Sequence, residues 1–160
     1  MSSKVPTVSD IRREITRLDD KYRLAFMYQF LIGGIVSEVL GKYAPIGTDA
    51  KRVEFNVKGN KIPAVMFLVK TARKGGYLRP CAVPLEPRYE PWAEILLDHF
   101  ERSGDNHPFT FSERSFHLTA REAFIAYEWQ RDAYTSSRTG ERVKIRYTPF
   151  TSSSLRELRR

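Results

Sequence analysis

The sequence predicts an α+β domain that is mainly helical and contains a small three-stranded antiparallel sheet. Three observations support this prediction: helical periodicity near the N-terminus, three strand-like apolar runs in the middle of the chain, and a return of helical periodicity after them. The chain has 160 residues, 41% of them hydrophobic. This length suits one hydrophobic core, so we expect a single domain over residues 1–160.

The N-terminal part predicts two helices and a short extension. The first helix follows Ser9 and Asp10, which are its candidate N-caps. Its apolar stripe consists of Ile11, Ile15, Leu18 and Tyr22. The second, YRLAFMYQFLIGG (22–34), is apolar on nearly every face, as expected of a central helix, and its two glycines end it. The segment IVSEVLGKY (35–43) suits one or two further turns.

Three strands are predicted next. KRVEFNV (51–57) alternates apolar and polar residues, and AVMFLV (64–69) is a continuous apolar run. KGNK (58–61) is a turn between them, and ARKGG turns the chain into YLRPCAVPL (77–85). Because the connections are short, we expect one antiparallel sheet. The third strand carries Pro80 and Pro84, which cannot donate ladder hydrogen bonds, so it should lie at an edge or be irregular.

Helices return in the second half of the chain. EPWAEILLDHFERSG has Pro91 near its first turn and Gly104 past its end. Its predicted buried stripe is Trp92, Ile95, Leu96 and Phe100. SERSFHLTAREAFIAYEWQ (112–130) predicts another helix, residues 134–154 a loop or loose hairpin, and SSSLRELRR a final helix with a serine cap. We expect the aromatic residues to lie in the core rather than to stack on bases, including Trp92, Trp129, Phe109 and Phe111.

Positive charge is concentrated in two segments. The net charge is +8, but residues 51–80 carry 8 basic and 1 acidic residue, and residues 129–160 carry 8 and 3. Residues 81–128 are acidic, with 4 basic and 9 acidic residues. Such segregation predicts a polyanionic partner. The alternative is that the basic composition serves solubility alone.

Other classes of protein are disfavoured. The sequence has no apolar run of membrane-spanning length and no signal peptide at its start, so we expect a cytoplasmic protein. The one cysteine, Cys81, fits a reducing compartment. The three histidines do not have metal-ligand spacing, and we expect neither a metal nor a small-molecule cofactor.

Four motifs, taken in order, resemble the catalytic domain of the tyrosine recombinases, the phage-integrase family. FLIGGIVSEVLGKYAP (30–45) resembles the first box of that family, and FLVKTARKGGYLRPCAVPL (67–85) resembles its hairpin with a catalytic lysine. PFTFSERSF (108–116) resembles the start of the helix after the sheet, and SSSLREL (152–158) resembles the box of the second arginine. The resemblance spans about residues 8–160, and it implies an integrase catalytic-core-like fold.

The resemblance implies roles for individual residues. Members of the family cleave and rejoin DNA through a phosphotyrosine without a metal, and two arginines and a lysine stabilise the reacting phosphate. Lys70 would be the general acid, with Lys74 as the alternative. Arg156 would clamp the phosphate, because a guanidinium can bind two phosphate oxygens. Glu38 would orient the first box. The alternatives without a catalytic role are that Lys70 marks the end of a strand and that Arg156 pairs with a carboxylate.

The sequence departs from the family at the positions that matter most for cleavage. Ile35 stands where the family has its first arginine, and Ser153 and Glu157 stand where it has histidines. The sequence ends at Arg160, before the region of the family's nucleophilic tyrosine. We therefore expect this chain to be inactive in strand cleavage, either as part of a longer protein or as a relative that cannot cut DNA.

DNA binding depends on many phosphate contacts, so it should survive these losses. The expected contacts are on the hairpin and near the C-terminus: Arg73, Lys74, Arg79, Arg142, Lys144, Arg146, Arg159 and Arg160. The expected partners are duplex DNA and, on the DNA, a second copy or another recombinase, which implies association with the nucleoid. The alternative for the hairpin charges is that they only protect an edge strand from aggregation.

Three functional hypotheses follow. The first is a recombinase-like catalytic domain, degenerate or truncated, that binds duplex DNA. The second is a non-catalytic DNA-binding or regulatory protein derived from the same fold. The third is an RNA-binding or protein-binding α+β module whose similarity to recombinases is coincidental. Fold resemblance alone does not decide among them.

Overall fold

The computed structural model describes residues 5–40, 50–70, 78–104, 107–131, 134–135, 138–140, 142–143, 146–151 and 154–155, for some strand positions the backbone only. In chain order the elements are α1 (Val8–Thr16), α2 (Asp20–Ile32), α3 (Val36–Val39), β1 (Ala50–Val57), β2 (Asn60–Lys70), β3 (Leu78–Pro84), α4 (Trp92–Ser103), α5 (Glu113–Ala123), β4 (Glu128–Arg131), β5 (Tyr134–Thr135), β6 (Arg142–Val143) and β7 (Arg146–Pro149). The predicted α+β class with a three-stranded antiparallel sheet is confirmed.

Helix α1 begins two residues earlier than the predicted caps imply. The Thr7 hydroxyl accepts a hydrogen bond from the Asp10 amide at 3.1 Å, and the Asp10 carboxylate accepts one from the Thr7 amide at 3.0 Å. The prediction of Ser9 or Asp10 as the N-cap is therefore wrong. Thr7 is the cap, and Asp10 is the third helical residue of a reciprocal capping box.

Helix α2 is the centre of the core, as its sequence predicts. Every residue from Ala25 to Ile32 is buried. The Tyr28 ring lies 5.2 Å from the ring of Phe67 and 5.1 Å from that of Phe100, so α2 contacts both the sheet and α4. Gly33 ends the helix in the left-handed conformation, with φ of 62°. The following helix, α3, covers only part of the predicted 35–43, and residues 41–49 lie outside the described part of the chain.

The three-stranded sheet has the order β1-β2-β3, and both pairings are antiparallel. Lys58 and Gly59, with φ of 52° and 82°, form the two-residue turn between β1 and β2. Asn60 and Lys61 therefore belong to β2 and not to the predicted four-residue turn. The third strand lies at an edge, as its prolines predict.

The two faces of this sheet have different surroundings. Val65, Phe67 and Val69 of β2 and Val83 of β3 are buried in the core, and we call their side of the sheet the inner face. The opposite side, the outer face, is also apolar, although its residues do not join the core cluster. The outer face comprises Val53, Phe55, Val57, Ile62, Met66, Leu68 and Leu78.

Two predictions in the second half of the chain need correction. Ile95 is 46% exposed and does not belong to the buried stripe of α4, where Ala93 and Leu97 are buried instead. Helix α5 ends at Ala123, and residues 128–130 of its predicted range belong to β4, which pairs with β7. The predicted loose hairpin over 134–154 contains β5, β6 and β7.

The aromatic side chains lie in the core rather than on an open platform. Trp92 and Phe109 are buried, and Phe111 and Trp129 pack against the core while partly exposed. The prediction that these residues are structural is confirmed. Of the predicted final helix, only Ser154 and Leu155 are described, and both are helical and buried.

Candidate nucleic-acid interface

Most of the predicted site lies outside the described residues. The backbones of Lys70, Arg142 and Arg146 belong to β2, β6 and β7, but their side chains are not described. The predicted residues that lie wholly outside the described part of the chain are Arg73, Lys74, Lys144, Arg156, Arg159 and Arg160. Arg79 is the predicted contact whose side chain can be placed.

The register of the sheet brings several basic positions to one end of it. Lys70 pairs with Leu78, and Arg79 pairs with Val69, so both lie where residues 71–77 connect β2 to β3. On the neighbouring strand, Lys51 pairs with Met66, four residues before Lys70. Four residues span about 13 Å along a strand. We call this end of the sheet, which contains Lys51, Lys70 and Arg79, the hairpin end.

Arg79 lies on the inner face and points to the end of α2. Its Nη1 donates a hydrogen bond to the carbonyl oxygen of Ile32 at 3.0 Å, and its Nη2 lies 3.8 Å from Oε1 of Glu38. The last carbonyls of a helix have no partner within the helix, and a cation there interacts favourably with the helix dipole. Arg79, whose side chain is 35% exposed, thus ties the hairpin to α2.

Glu38 stabilises the corner between α2 and α3. Its Oε1 accepts a hydrogen bond from the Ile35 amide at 3.1 Å and faces Arg79 at the same time. A Cβ on Gly34 would lie 2.8 Å from Cδ1 of Ile32 and 3.1 Å from Oε1 of Glu38, so a larger residue there would require these side chains to shift.

Ile35 is partly buried at this corner. The nearby guanidinium at the hairpin end belongs to Arg79, which contacts a helix carbonyl and a carboxylate. A guanidinium held in this way is partly neutralised, so it is a weaker phosphate ligand than an unpaired arginine. The contacts of Arg79 at this corner are therefore structural.

The other cations of the sheet fall into two groups. Arg52 donates to Glu94 of α4 at 2.8 Å and lies 3.8 Å from Glu101, and these contacts, the Glu94 hydrogen bond first, raise the pKa of Arg52. Lys61 lies 3.8 Å from Glu54. In contrast, Lys51 and Lys58 are exposed and have no carboxylate within 4 Å among the described residues.

Lys51 was missed as an individual candidate by sequence reasoning. Its signal was present, because it lies in the basic segment 51–80. What the sequence did not show is that the neighbouring cation Arg52 is paired with α4 while Lys51 has no carboxylate within 4 Å among the described residues. Arg52 and Glu94 are 42 positions apart in the chain, so no local pattern reports their contact.

A concave region lies beside α5. His117, Leu118 and Arg121 of α5 and Thr151 line a depression of about 200 Å³. Thr151 precedes the predicted arginine box, and its amide donates to the Ser154 hydroxyl at 3.1 Å. This contact resembles half of a capping box and sets the start of the final helical turn. Arg121 gives the depression a cation that can bind an anion.

Within the described residues, no cluster of His, Cys, Asp or Glu could hold a metal ion. No described helix is both long and apolar enough to cross a membrane.

Comparison with family models, with characterised proteins and with solved structures found no match for this chain.

Proposed function

We propose that this protein binds duplex DNA through the hairpin end of its three-stranded sheet, as a degenerate relative of the tyrosine-recombinase catalytic domain. The observation that carries the proposal is the concentration of charge. Residues 51–80 have 8 basic residues and 1 acidic residue, and the described parts of this segment, 51–70 and 78–80, belong to one small sheet. A surface of this kind favours the phosphate backbone of a nucleic acid.

The distribution of ion pairs supports the hairpin end as the binding surface. Toward α4, the charge of Arg52 is offset by two carboxylates. At the hairpin end, Lys51 is unpaired among the described residues, and Lys70, Arg73 and Lys74 follow in sequence. Because phosphate contacts add over a surface, several lysines at one end of a sheet suffice for salt-dependent binding.

Strand cleavage is not part of the proposal. Ile35 cannot stabilise a phosphate, and Arg79 contacts Ile32 and Glu38. Loss of one preorganised charge in a phosphoryl-transfer site costs orders of magnitude in rate. A non-catalytic DNA-binding protein derived from the integrase fold is the second candidate, and Ile35 at the family's first arginine position favours it.

The test is fluorescence anisotropy with a labelled DNA duplex at several salt concentrations. We compare the parent protein with a Lys70→Ala, Lys74→Ala double variant. If both lysines contact phosphates, the slope of log K against log salt falls in magnitude by about 2 in the variant, because each contact contributes about 0.9.

A Lys58→Ala, Lys61→Ala double variant is the matched control. It removes the same charge from the opposite end of the same sheet. The proposal predicts that its slope stays close to that of the parent protein. Equal losses in the two variants would show only a general charge effect, and a preference for an RNA duplex would favour the third hypothesis. A covalent protein–DNA adduct in denaturing gels would contradict the loss of cleavage.

A further inference from the structure

Strand β1 is an open edge of the three-stranded sheet. It pairs with β2 on one side, and no other described strand pairs with it. All eight of its residues are extended and none is proline. The opposite edge, β3, carries Pro80 and Pro84, which interrupt further pairing. An open, regular edge is a template for another strand unless it is protected.

The turn between β1 and β2 shows which backbone groups of β1 are available. Val57 and Asn60 close a two-residue turn and form a hydrogen-bonded pair, and such pairs alternate along an antiparallel ladder. Val53 and Phe55 are therefore bonded to β2. The amides and carbonyls of Arg52 and Glu54 point away from β2, toward the open edge.

We infer that β1 pairs antiparallel with β1 of a second copy of this chain, with Val53 of both copies at the two-fold axis. In this register Arg52 of each copy, which also contacts Glu94 and Glu101 of its own chain, faces Glu54 of the other, and these are the residues whose backbone groups are available. Opposite charges that face each other across strands stabilise the pairing, and like charges oppose it. The edge is thus complementary to itself, as a two-fold interface requires.

The outer face supports the same arrangement. Phe55 is 40% exposed and Val57 is 47% exposed, which is unusual for the free side of a two-layer domain. In the inferred register, Lys51 of the second copy lies across from Phe55, so its aliphatic stem covers part of the ring. The pairing joins the two sheets into one of six strands. It does not depend on DNA binding.

Sedimentation velocity over a range of protein concentrations, without DNA, tests the inference. The expected result is a concentration-dependent species with twice the mass of one chain. Glu54→Lys should raise the dimer dissociation constant at least about tenfold, because the introduced lysine would face Arg52 of the other copy. Glu122→Lys on α5 makes the same charge change far from β1, and it should leave the dissociation constant unchanged.

Glu54→Pro is a second variant that acts on the backbone. Its missing amide is one that points away from β2, so the β1–β2 ladder can form while the edge is blocked. Circular dichroism checks that the variant folds. Leu78→Ser lies on the outer face of β3, away from the β1 edge, and should not affect the dimer.

A mixing experiment tests the register itself. Arg52→Glu and Glu54→Lys should each be monomeric when measured alone, and because Arg52→Glu also loses its contacts with Glu94 and Glu101, circular dichroism first checks that it folds. When they are mixed, each contact across the interface pairs opposite charges, so a mixed dimer should form. A monomeric parent protein, a dimer that persists in Glu54→Pro, loss of the dimer in Leu78→Ser, or no recovery on mixing would each overturn the inference.

Discussion

The inner and outer faces of the three-stranded sheet are similar in composition and different in environment. On the inner face, Val65, Phe67 and Val69 are fully buried beneath α2 and α4. On the outer face, Phe55, Val57 and Leu78 are 40%, 47% and 51% exposed. Apolar character alone therefore does not determine which face is the core. Within the described part of the chain, helices cover only one side, and the apolar side chains of the other side are partly exposed, as on surfaces used in interactions.

The largest expected difference between the faces is in stability. Phe67→Ala should lower the free energy of unfolding by about 3 to 5 kcal/mol, because it leaves a cavity among the rings of Tyr28 and Phe100. Phe55→Ala should cost about 1 kcal/mol or less, since that ring is already partly in water. Urea unfolding measures both values. Equal losses would mean that the outer face is as well packed as the inner face.

An intermediate effect is expected for Arg79, a polar residue on the inner face. Arg79→Ala removes the hydrogen bond to Ile32 and the ion pair with Glu38, and the expected cost is about 1 kcal/mol because the side chain is partly exposed. If its role is structural, the salt dependence of DNA binding should change by less than in Lys70→Ala. A stable variant with a large loss of DNA affinity would instead identify Arg79 as a phosphate contact.

The smallest expected effect on stability is at Asp10. This residue lies on neither face of the sheet, so it is a reference for the variants on the two faces. Its hydrogen bond from the Thr7 amide, with smaller contributions from the Thr7 hydroxyl and Arg13, lowers the pKa of Asp10 below its ordinary value. The carboxylate therefore stabilises the fold above about pH 4. This contribution is lost as the pH falls through the lowered pKa.

Asp10→Asn should thus be slightly less stable than the parent protein at neutral pH, and the difference should shrink in acid. Thermal unfolding of both proteins from pH 7 to pH 3 measures it. A difference that grows as the pH falls would contradict the assigned sign.

Helix α2 and the β1–β2 hairpin were predictable from sequence. Helix α2 has a long apolar run that ends in two glycines, and the hairpin has an alternating strand followed by a turn and an apolar strand. The end of α5 was not predictable, because its helical stripe continues through Tyr127, which is buried although it lies outside the helix. The Thr7 cap was missed because Asp10 has the chemistry of a cap but acts as its reciprocal partner.

The charge of the site was predictable from the sequence, but the contacts of its side chains were not. Charge counts located the basic segment, since they need no knowledge of contacts. The direction of Arg79 depends on Ile32, which is 47 positions away in the chain. The same limit applies to Arg52 and α4. Contacts over such distances arise from packing, and no spacing rule in the sequence reports them.

The most direct test of the central claim is to map lysine protection on DNA. The protein is acetylated briefly with and without duplex DNA, and the modification of each lysine is measured by mass spectrometry. Binding through the hairpin end predicts protection of Lys51, Lys70 and Lys74, while Lys58 and Lys61 react equally in both samples. Protection at Lys58 and Lys61 with none at Lys70 and Lys74 would contradict the account.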